Sequence, residues 1–368
     1  MVAGEASGDA HGGRLAEALR ALHPDLRLSG VGGPRMRQAG VETWWDVASL
    51  EAIGLTEALC RVPELLRVRK RILGEVGGRG PVAAILIDYP GFNLHLAKHL
   101  RRLGLPVYYF IAPQLWAWGP WRARKLARRV NLLLVILPFE VDFFRSRGID
   151  ALFVGHPLVD RPADPPAEEI RSRLGLRESG PVIALLPGSR RREVSVLLPT
   201  MAKAARTLSE FWPGAQFLLP VADVLEPEWV QGFLGGLPVR LTRGAWEVLA
   251  VSDAAITASG TATLEAGLLG VPMVILYKVH WASGPIMRFF INCPSIGLIN
   301  LLAGERLVPE LLQEEVTSAN IIREARRAVE DRNYRARVKA RLREVRGRLG
   351  EPGVFERAAR AILSHLGS

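Results

Sequence analysis

The stretches LLPGSR (residues 185–190) and ASGTATLE (residues 258–265) decide the fold of this chain. In each stretch an apolar segment runs into small residues and glycine, and a helical pattern then begins. The N-terminus of a helix presents unpaired N–H groups and the positive end of its dipole, so it attracts anions. Two such turns in one half of the chain, one of them carrying Arg190, predict a site for a diphosphate. Glu265 is placed to accept hydrogen bonds from ribose hydroxyls, as acidic residues do in nucleotide-binding folds. The two stretches therefore predict a site for a nucleotide-activated donor.

Short apolar segments separated by helical patterns recur on both sides of these turns. They cover residues 82–87, 107–112, 132–137 and 152–154 in the first half, and residues 182–186, 217–221, 254–257 and 273–277 in the second. Continuous apolarity predicts parallel strands that are buried on both faces. Strands that alternate with helices predict an α/β protein with two doubly wound domains.

The proline-rich segment at residues 157–166 predicts the linker between these domains. We therefore expect a first domain over residues 1–156 and a second over residues 157–345. A C-terminal helix over residues 346–368 is expected to pack back on the first domain.

Composition restricts the class of protein. The chain has 368 residues, of which 49% are hydrophobic, and its apolar runs stay far below the roughly 20 residues of a membrane-spanning helix. The first residues lack the basic and apolar regions of a signal peptide. Two cysteines, Cys60 and Cys293, are too few for a disulfide framework or a four-cysteine zinc site. These features predict a cytoplasmic protein.

Basic residues are concentrated in one part of the chain. The net charge is +11, and residues 323–348 hold eleven basic and four acidic side chains. Such a surface attracts phosphate on nucleic acid, on anionic lipid or on a phosphorylated substrate. A solvated helix is the alternative interpretation.

Eight blocks of sequence follow one another in an informative order. They are GEASGD (4–9), DYPGFN (88–93), PQLWAWGPWR (113–122), LPFE (137–140), GHPLVD (155–160), LLPGSR (185–190), ASGTATLE (258–265) and NLLAGERLVPELLQ (300–313). From residue 2 to about residue 315 the chain resembles the lipid-A-disaccharide synthase family. Similar proteins carry several more residues ahead of Val2, and often a proline in place of Ile299.

The resemblance implies an inverting glycosyltransferase of GT-B fold, with two Rossmann-like domains that face each other across a cleft. The first domain would bind the acceptor and the second the UDP-linked donor. The implied substrates are UDP-2,3-diacylglucosamine and 2,3-diacylglucosamine 1-phosphate (lipid X). The implied products are the β-1,6-linked disaccharide of lipid A and UDP.

Asp88 is the first catalytic candidate, because it follows a predicted strand directly. A carboxylate there can take the proton from the acceptor's 6-hydroxyl as that oxygen attacks. A helix cap, or a turn before Pro90, is the alternative from position alone. The resemblance favours the general base.

Arg190 and Glu5 are the other two catalytic candidates. A guanidinium pairs with phosphate oxygens and neutralises the charge of departing UDP, whereas a solvent-facing arginine beside Arg191 and Arg192 is the alternative. Because the chain has no D-x-D motif, we expect no metal at the diphosphate and no cofactor. The turn that carries Glu5 predicts a second wall of the site, with an ordinary capped turn as the alternative.

The predicted substrate contacts lie in the blocks quoted above, and for His156 a structural role is the alternative. They are Ser7, Gly8, Asp9, Asn93, Gln114, Trp116, His156, Gly188, Ser189, Ser259, Gly260, Thr261, Glu265 and Asn300. The scattered histidines show no metal-ligand spacing such as H-E-x-x-H.

Two segments raise the question of further partners. Trp116, Trp118 and Trp121 alternate with arginine and lysine, a pattern compatible with stacking on nucleic acid, with a membrane interface or with packing of the acceptor loop. No nucleic-acid motif accompanies them, so we expect no nucleic-acid partner. Residues 62–76 predict a basic amphipathic helix, which lies on an anionic membrane or docks on its own sheet.

Because both implied substrates carry acyl chains, we expect peripheral association with the inner face of the cytoplasmic membrane. A homodimer is an open expectation. Two other classes of function also stay open: a UDP-sugar epimerase of the same fold, and a non-catalytic protein that binds membranes or nucleic acid.

Overall fold

The computed structural model describes residues 1–47, 62–162, 165–278 and 295–367. Cys60 and Cys293 lie outside these residues. The chain divides into two units. Unit 1 comprises Met1–Arg161 and Leu349–Ser368, and unit 2 comprises Pro162–Arg348. The chain thus passes from unit 1 to unit 2 inside the proline-rich segment, and its last residues return to unit 1.

Unit 1 contains a parallel sheet whose seven described strands run in the order β3-β2-β1-β4-β5-β6-β7. The strands are β1 (Val2–Ala3), β2 (Ser29–Gly32), β3 (Glu42–Asp46), β4 (Ala84–Ile87), β5 (Val107–Phe110), β6 (Leu132–Val135) and β7 (Ala151–Phe153). Every residue of β4, β5 and β6 is buried, because helices cover both faces of the sheet.

Seven α-helices connect the described strands of unit 1. They are α1 (Ala6–Leu22), α2 (Pro34–Gln38), α3 (Val62–Arg79), α4 (Pro90–Arg102), α5 (Leu115–Trp118), α6 (Ala123–Ala127) and α7 (Phe139–Arg145). Proline begins α2 and α4, where its missing N–H costs nothing and its fixed φ suits a helix. Short 3-10 helices span Pro120–Arg122 and Pro157–Asp160.

Helix α3 settles part of the question about residues 62–76. Its Val68 and Ile72 are buried in the core of unit 1, and Leu73 and Val76 pack against that core. Leu66 is 45% exposed. The apolar face of this helix therefore docks mainly on its own unit, and of these five side chains only Leu66 is left to meet another surface.

The C-terminal helix α16 (Val354–Leu366) belongs to unit 1. Asp160 accepts hydrogen bonds from the N–H groups of Gly353 and Val354, at 2.6 and 2.9 Å, and so caps the helix. The Arg14 guanidinium of α1 lies 4.2 Å above the Phe355 ring. The buried face of α16 completes the core on one side of the sheet.

Unit 2 contains a second parallel sheet, with six described strands in the order β10-β9-β8-β11-β12-β13. They are β8 (Val182–Leu186), β9 (Gln216–Pro220), β10 (Val239–Thr242), β11 (Ala254–Ala258), β12 (Met273–Tyr277) and β13 (Glu310–Leu312). The central strands β8 and β11 are buried throughout. All eight strands predicted from apolar segments are confirmed, with ends that differ by up to two residues.

The α-helices described in unit 2 connect these strands and continue to Arg348. They are α8 (Ala167–Arg173), α9 (Arg191–Phe211), α10 (Pro227–Gln231), α11 (Ala245–Ala250), α12 (Thr261–Leu268), α13 (Leu298–Ala303), α14 (Ser318–Glu330) and α15 (Arg332–Arg348). Thr317 caps α14 by accepting a hydrogen bond from the Asn320 N–H at 3.2 Å. The basic stretch at residues 323–348 thus lies in α14 and α15.

Candidate functional site

Asp88 follows β4 directly and stands two residues before Pro90, the first residue of α4. Asp88 and Tyr89 both have left-handed backbones, with φ of 45° and 50°. A side chain at such φ costs on the order of 1–3 kcal/mol and persists only where the surroundings hold it. Strain at two successive residues marks this turn as a functional candidate.

Three hydrogen bonds, from strand β5 and helix α4, hold the backbone of Asp88. Its carbonyl oxygen accepts from the Tyr109 hydroxyl at 2.6 Å and from Asn93 Nδ2 at 2.8 Å. Its N–H donates to the Phe110 carbonyl at 2.9 Å. Both Tyr109 and Asn93 are fully buried. Asn93, which was predicted as a substrate contact, therefore holds the turn through a hydrogen bond from its buried side chain.

The Asp88 carboxyl group is partly buried, and its pKa is raised to about 6. The loss of solvation is the main cause and the negative charge of Glu5 the second, while a hydrogen bond from the Tyr89 backbone opposes the shift. A general base works best when its pKa lies near the working pH. The Tyr109 pKa is raised well above its usual value by burial and by Asp88, so its hydroxyl stays a donor.

Gly4 is required by close packing beside Asp88. A Cβ at this position would lie 2.0 Å from Cδ1 of Tyr89, so the tyrosine ring rests directly on the backbone before Glu5. The Glu5 carboxylate accepts a hydrogen bond from the Ser7 hydroxyl at 2.8 Å. We call Glu5, Asp88, Tyr89, Asn93 and Tyr109 the Asp88 site.

Two predicted substrate contacts in unit 1 have hydrogen-bond partners within the protein. Asp9 is buried, and its oxygens accept from the N–H groups of Gly33, Arg35 and Met36 at 2.6–3.0 Å. This carboxylate caps α2. His156 is also buried, and its Nδ1 accepts a hydrogen bond from the Leu158 N–H at 3.2 Å. Its pKa is lowered to about 4, mainly by burial and to a smaller extent by the nearby His11.

The loop after β5 carries Gln114 and Trp116. Gln114 is exposed and Trp116 is half-buried. Trp116 Nε1 donates to Glu140 Oε1 at 3.0 Å, and the Leu137 N–H donates to the other oxygen at 3.1 Å. Burial raises the pKa of Glu140 to about 7. Glu140 was not predicted, although the quoted LPFE block contains it.

A cavity of about 440 Å³ opens at the carboxyl ends of four strands of unit 2. Its walls are the turns after β8, β9, β10 and β11. We call it the Arg190 pocket. It is lined by Leu186, Gly188, Ser189, Arg190, Glu193, Pro220, Val221, Ala222, Asp223, Gly244, Ala245, Ala258, Ser259, Gly260, Thr261 and Ala262. The two predicted anion turns therefore meet in one cavity.

Glu193 occupies the first of these anion turns. Its carboxylate accepts from the N–H groups of Ser189 and Arg190 at 3.1 and 3.3 Å. Its other oxygen pairs with the Arg190 guanidinium at 3.3 Å. Gly188 has φ of 113°, and a Cβ there would lie 2.3 Å from this carboxylate. The turn binds a carboxylate in the way that it would bind a phosphate.

The second turn is open at Gly260, and the Ser259 hydroxyl has a partner within the protein. Apart from the chain neighbours of Gly260, none of the described residues has an atom within 4 Å of the place a Cβ would take. The Ser259 hydroxyl donates to the Ile296 carbonyl at 3.1 Å, and α12 begins at Thr261. Glu265 is half-buried and does not line the cavity. The structure therefore groups Ser259, Gly260 and Thr261 with Arg190, but not Glu265.

Asn300 has a structural role behind this pocket. It is buried, donates from Nδ2 to the Val308 carbonyl at 2.9 Å and to Glu310 at 2.8 Å, and accepts from the Val308 N–H at 3.0 Å. Glu310 also accepts from the N–H groups of Ile296 and Gly297. This network fixes the loop that the Ser259 hydroxyl contacts.

Among the described residues, no histidine, cysteine, aspartate and glutamate side chains form a group of three or more that could hold a metal ion. Within the same residues, no helix has the length and apolarity needed to cross a membrane.

Solved structures share this architecture. A UDP-GlcNAc 2-epimerase from Neisseria meningitidis bound to UDP-GlcNAc aligns with a TM-score of 0.61 and 12% identity, over 97% of each chain. The calicheamicin glycosyltransferase CalG4 aligns with a TM-score of 0.58 and 19% identity, over 97% of this chain and 94% of its own. Identities this low establish the fold alone. With its two parallel sheets, the chain has a GT-B-like fold, as predicted.

Sequence comparison gives the family within this class. The family described as lipid-A-disaccharide synthetase matches residues 1–362. A lipid-A-disaccharide synthase from Anaeromyxobacter dehalogenans is 44% identical to the chain, over 99% of the chain and 96% of its own length. The lipid-A-disaccharide synthase from Myxococcus xanthus is also 44% identical, over 100% of the chain and 97% of its own length. The chain belongs to the lipid-A-disaccharide synthetase family, and the predicted lipid-A-disaccharide synthase activity is confirmed.

Proposed function

We propose that this enzyme transfers a diacylglucosaminyl group from UDP-2,3-diacylglucosamine to the 6-hydroxyl of 2,3-diacylglucosamine 1-phosphate (lipid X). The products are the β-1,6-linked disaccharide 1-phosphate and UDP. The single observation that carries the mechanism is Asp88, a partly buried carboxyl group with a pKa of about 6 on a clamped backbone. The family membership supports the substrates.

Asp88 acts as the general base. The acceptor oxygen forms a bond to the anomeric carbon while the bond from that carbon to the diphosphate oxygen breaks. The hydroxyl proton passes to the Asp88 carboxylate, and the electron pair of the broken bond leaves with UDP. A single displacement inverts the α-linked donor to a β-glycoside. Glu5 acts through its charge, which keeps the pKa of Asp88 high.

The UDP diphosphate binds in the Arg190 pocket, whose volume of about 440 Å³ lies in the usual range for ligand sites. Phosphate oxygens displace the Glu193 carboxylate from the N–H groups of Ser189 and Arg190. They also accept from the turn formed by Ser259, Gly260 and Thr261. Because the chain has no D-x-D motif, we assign the charge of departing UDP to Arg190 and to the α12 N-terminus.

The remaining predicted contacts divide according to their partners in the structure. We assign Ser7, Gly8, Gln114 and Trp116 to the acceptor side and keep Glu265 as a proposed ribose contact. Asp9, Asn93, His156 and Asn300 are assigned to positioning, since each of these side chains makes at least one hydrogen bond to the protein itself.

Peripheral binding to the inner face of the cytoplasmic membrane is part of the proposal, in a revised form. Leu66 and Trp121 are 45% and 71% exposed, and basic residues adjoin both in sequence. We assign membrane contact to these two side chains and to Arg67 and Lys70, instead of to the whole apolar face of α3. A homodimer remains a proposal that the oligomeric state in solution would test.

The decisive experiment measures UDP release from UDP-2,3-diacylglucosamine with and without lipid X. Release that requires lipid X, together with formation of the disaccharide, supports the proposal. Conversion of UDP-N-acetylglucosamine without an acceptor would support the epimerase alternative instead. Binding to anionic vesicles with no reaction of either kind would favour a non-catalytic protein.

A further inference from the structure

A second cavity, of about 130 Å³, lies in unit 1 beside α4 and α6. Its floor is apolar and its rim is basic. We call it the basic pocket, and it is lined by Leu94, His95, Arg122, Lys125, Leu126 and Arg129. The sequence pattern of tryptophan and arginine pointed to this segment without giving it a function.

Only some of the cationic side chains of this segment line the basic pocket. Arg122, Lys125 and Arg129 are spaced by three and four residues, which is the spacing of one helical face. Arg124 and Arg128 lie on the same segment and do not line the pocket, although Arg122 and Lys125 are exposed as they are. Within eight residues of sequence, some of the charges therefore line the pocket and others do not.

The pocket cations lack countercharges. Among the residues that the structure describes, no carboxylate lies within 4.0 Å of His95, Arg122, Lys125 or Arg129. Arg129 Nη1 instead donates to the Leu94 carbonyl at 2.9 Å. Burial and the nearby Arg122 lower the Arg129 pKa. Like charges held this way repel one another, and a bound anion would relieve the repulsion.

The basic pocket is connected to the Asp88 site by one helix. Helix α4 begins at Pro90, two residues after Asp88, and a rise of 1.5 Å per residue places His95 about 7.5 Å along its axis. In a glucosamine 1-phosphate acceptor, C1 carries the phosphate and C5 carries the CH₂OH group, and only the ring oxygen stands between these two carbons. The 6-hydroxyl and the 1-phosphate thus belong to one sugar residue, so two sites about one and a half helical turns apart can bind them together.

We propose that the basic pocket binds the 1-phosphate of the acceptor, an inference that rests on the proposed function. A phosphate monoester carries a charge of about −1.5 to −2 at pH 7, which suits three permanent cations better than the single charge of a phospholipid diester. Arginine pairs with phosphate through two parallel hydrogen bonds. The pocket thus fixes the acceptor through a second group of the same sugar that carries the reacting hydroxyl.

The first test measures binding alone. Glucosamine 1-phosphate, which has no acyl chains, is titrated into the full chain by NMR or calorimetry. The double variant Arg122→Gln/Lys125→Gln should lose about 10- to 100-fold in affinity, as expected for hydrogen bonds to a charged group. The matched variant Arg124→Gln/Arg128→Gln removes the same charge from the same segment and should bind as the wild type does. Equal losses in the two variants would overturn the proposal.

The second test compares transfer to lipid X with transfer to 2,3-diacylglucosamine that lacks the phosphate. The pocket variant should lose kcat/KM only with lipid X, so that its preference for the phosphorylated acceptor disappears. A parallel loss with both acceptors would contradict the assignment. If the wild type transfers to neither, the proposed function fails, while the titration with glucosamine 1-phosphate still decides the pocket.

A third measurement tests whether the phosphate that the pocket binds belongs to a membrane lipid headgroup instead of the acceptor. Binding to vesicles of phosphatidylglycerol and phosphatidylcholine should be equal for the two double variants, because each loses two positive charges. Selective loss of vesicle binding in the pocket variant, with unchanged binding of glucosamine 1-phosphate, would show that the pocket serves the membrane. Unchanged melting temperatures would show that both variants fold.

Discussion

The Asp88 site and the Arg190 pocket occupy the same kind of position, the carboxyl ends of parallel strands, but they are built in opposite ways. In the Asp88 site, buried side chains clamp a strained backbone and the carboxyl group is partly shielded from water. In the Arg190 pocket, small residues leave backbone N–H groups accessible, and the Arg190 side chain is 70% exposed. The difference follows from chemistry. A base needs desolvation to raise its pKa, whereas an anion site needs open access to donors.

This comparison leads us to expect different responses to substitution. Changes in the Asp88 site should alter stability and pH dependence together with turnover. Changes in the Arg190 pocket should alter turnover and UDP binding with little effect on stability, because exposed side chains contribute little to the fold.

Asp88→Asn should have the largest effect. An amide cannot accept the proton, so turnover should fall by about 10²–10⁴-fold. The exposed Asp150→Asn is the matched control. Near-normal steady-state rates in Asp88→Asn would exclude Asp88 as the base and break the contrast between the two sites.

The same variant should be more stable than the wild type at high pH. The Asp88 pKa is raised from 3.8 to about 6 in the folded state, so folding binds the proton more tightly and the charged form costs stability above pH 6. Removing the charge should therefore raise the free energy of unfolding at pH 8 by about 3 kcal/mol. The gain should shrink as the pH falls from 6 to 3.8 and disappear below that range. Denaturant titration at pH 8 and pH 4 measures it.

Arg190→Ala should come next, with a loss in kcat of about 10- to 100-fold from one charged hydrogen-bonding group. Its melting temperature should match that of the wild type, and Arg192→Ala on the same exposed turn should be nearly normal. A large loss of stability in Arg190→Ala would remove the distinction between the sites. If EDTA abolishes wild-type activity, the assignment of the leaving-group charge to Arg190 and the α12 N-terminus without a metal is wrong.

Tyr109→Phe tests the clamp on Asp88 with a neighbouring control. The Tyr109 hydroxyl donates to the Asp88 carbonyl, whereas the equally buried Tyr108 contacts His365 Nδ1 at 3.2 Å. Each variant loses one hydrogen bond, at about 1 kcal/mol of stability. Tyr109→Phe should also lose up to about tenfold in kcat, because it alone loosens the turn that carries the proposed base. Equal kcat in the two variants would assign Tyr109 to folding only.

How much of this was predictable from sequence depended on the distance between interacting residues. The strands in continuous apolar runs were predicted, but β2, with the sequence SGVG, and the short β13 carry too little apolar pattern to be found. Asp88 became a candidate because it follows a strand directly, and Arg190 because it stands between a strand and the helix that follows it. The role of Asp9 was not predicted, because its hydrogen-bond partners are 24–27 residues away in the sequence.

An amphipathic pattern predicts that a helix has an apolar face, but it does not predict what that face contacts. The spacing of apolar residues in α3 predicted one apolar face but could not show whether that face meets a bilayer or the protein core, since both are apolar. The burial of Val68 and Ile72 decides for the core. Tyr109 was missed for a similar reason: inside a buried strand its sequence signal is that of any core aromatic residue.

Glu5→Gln should have the smallest effect and sharpens the account of the Asp88 site. The charge of Glu5 is the second cause, after burial, of the raised Asp88 pKa. The neutral glutamine should therefore let that pKa fall. The acid limb of kcat/KM, expected near pH 6 in the wild type, should move to lower pH with only a few-fold change in its plateau, since one partly screened charge is removed. Glu17→Gln, an exposed change on the same helix, should leave the limb in place. An unmoved limb with a plateau lowered about 10²-fold or more would instead make Glu5 a direct catalytic group, and the base would then have to be shared between two carboxylates.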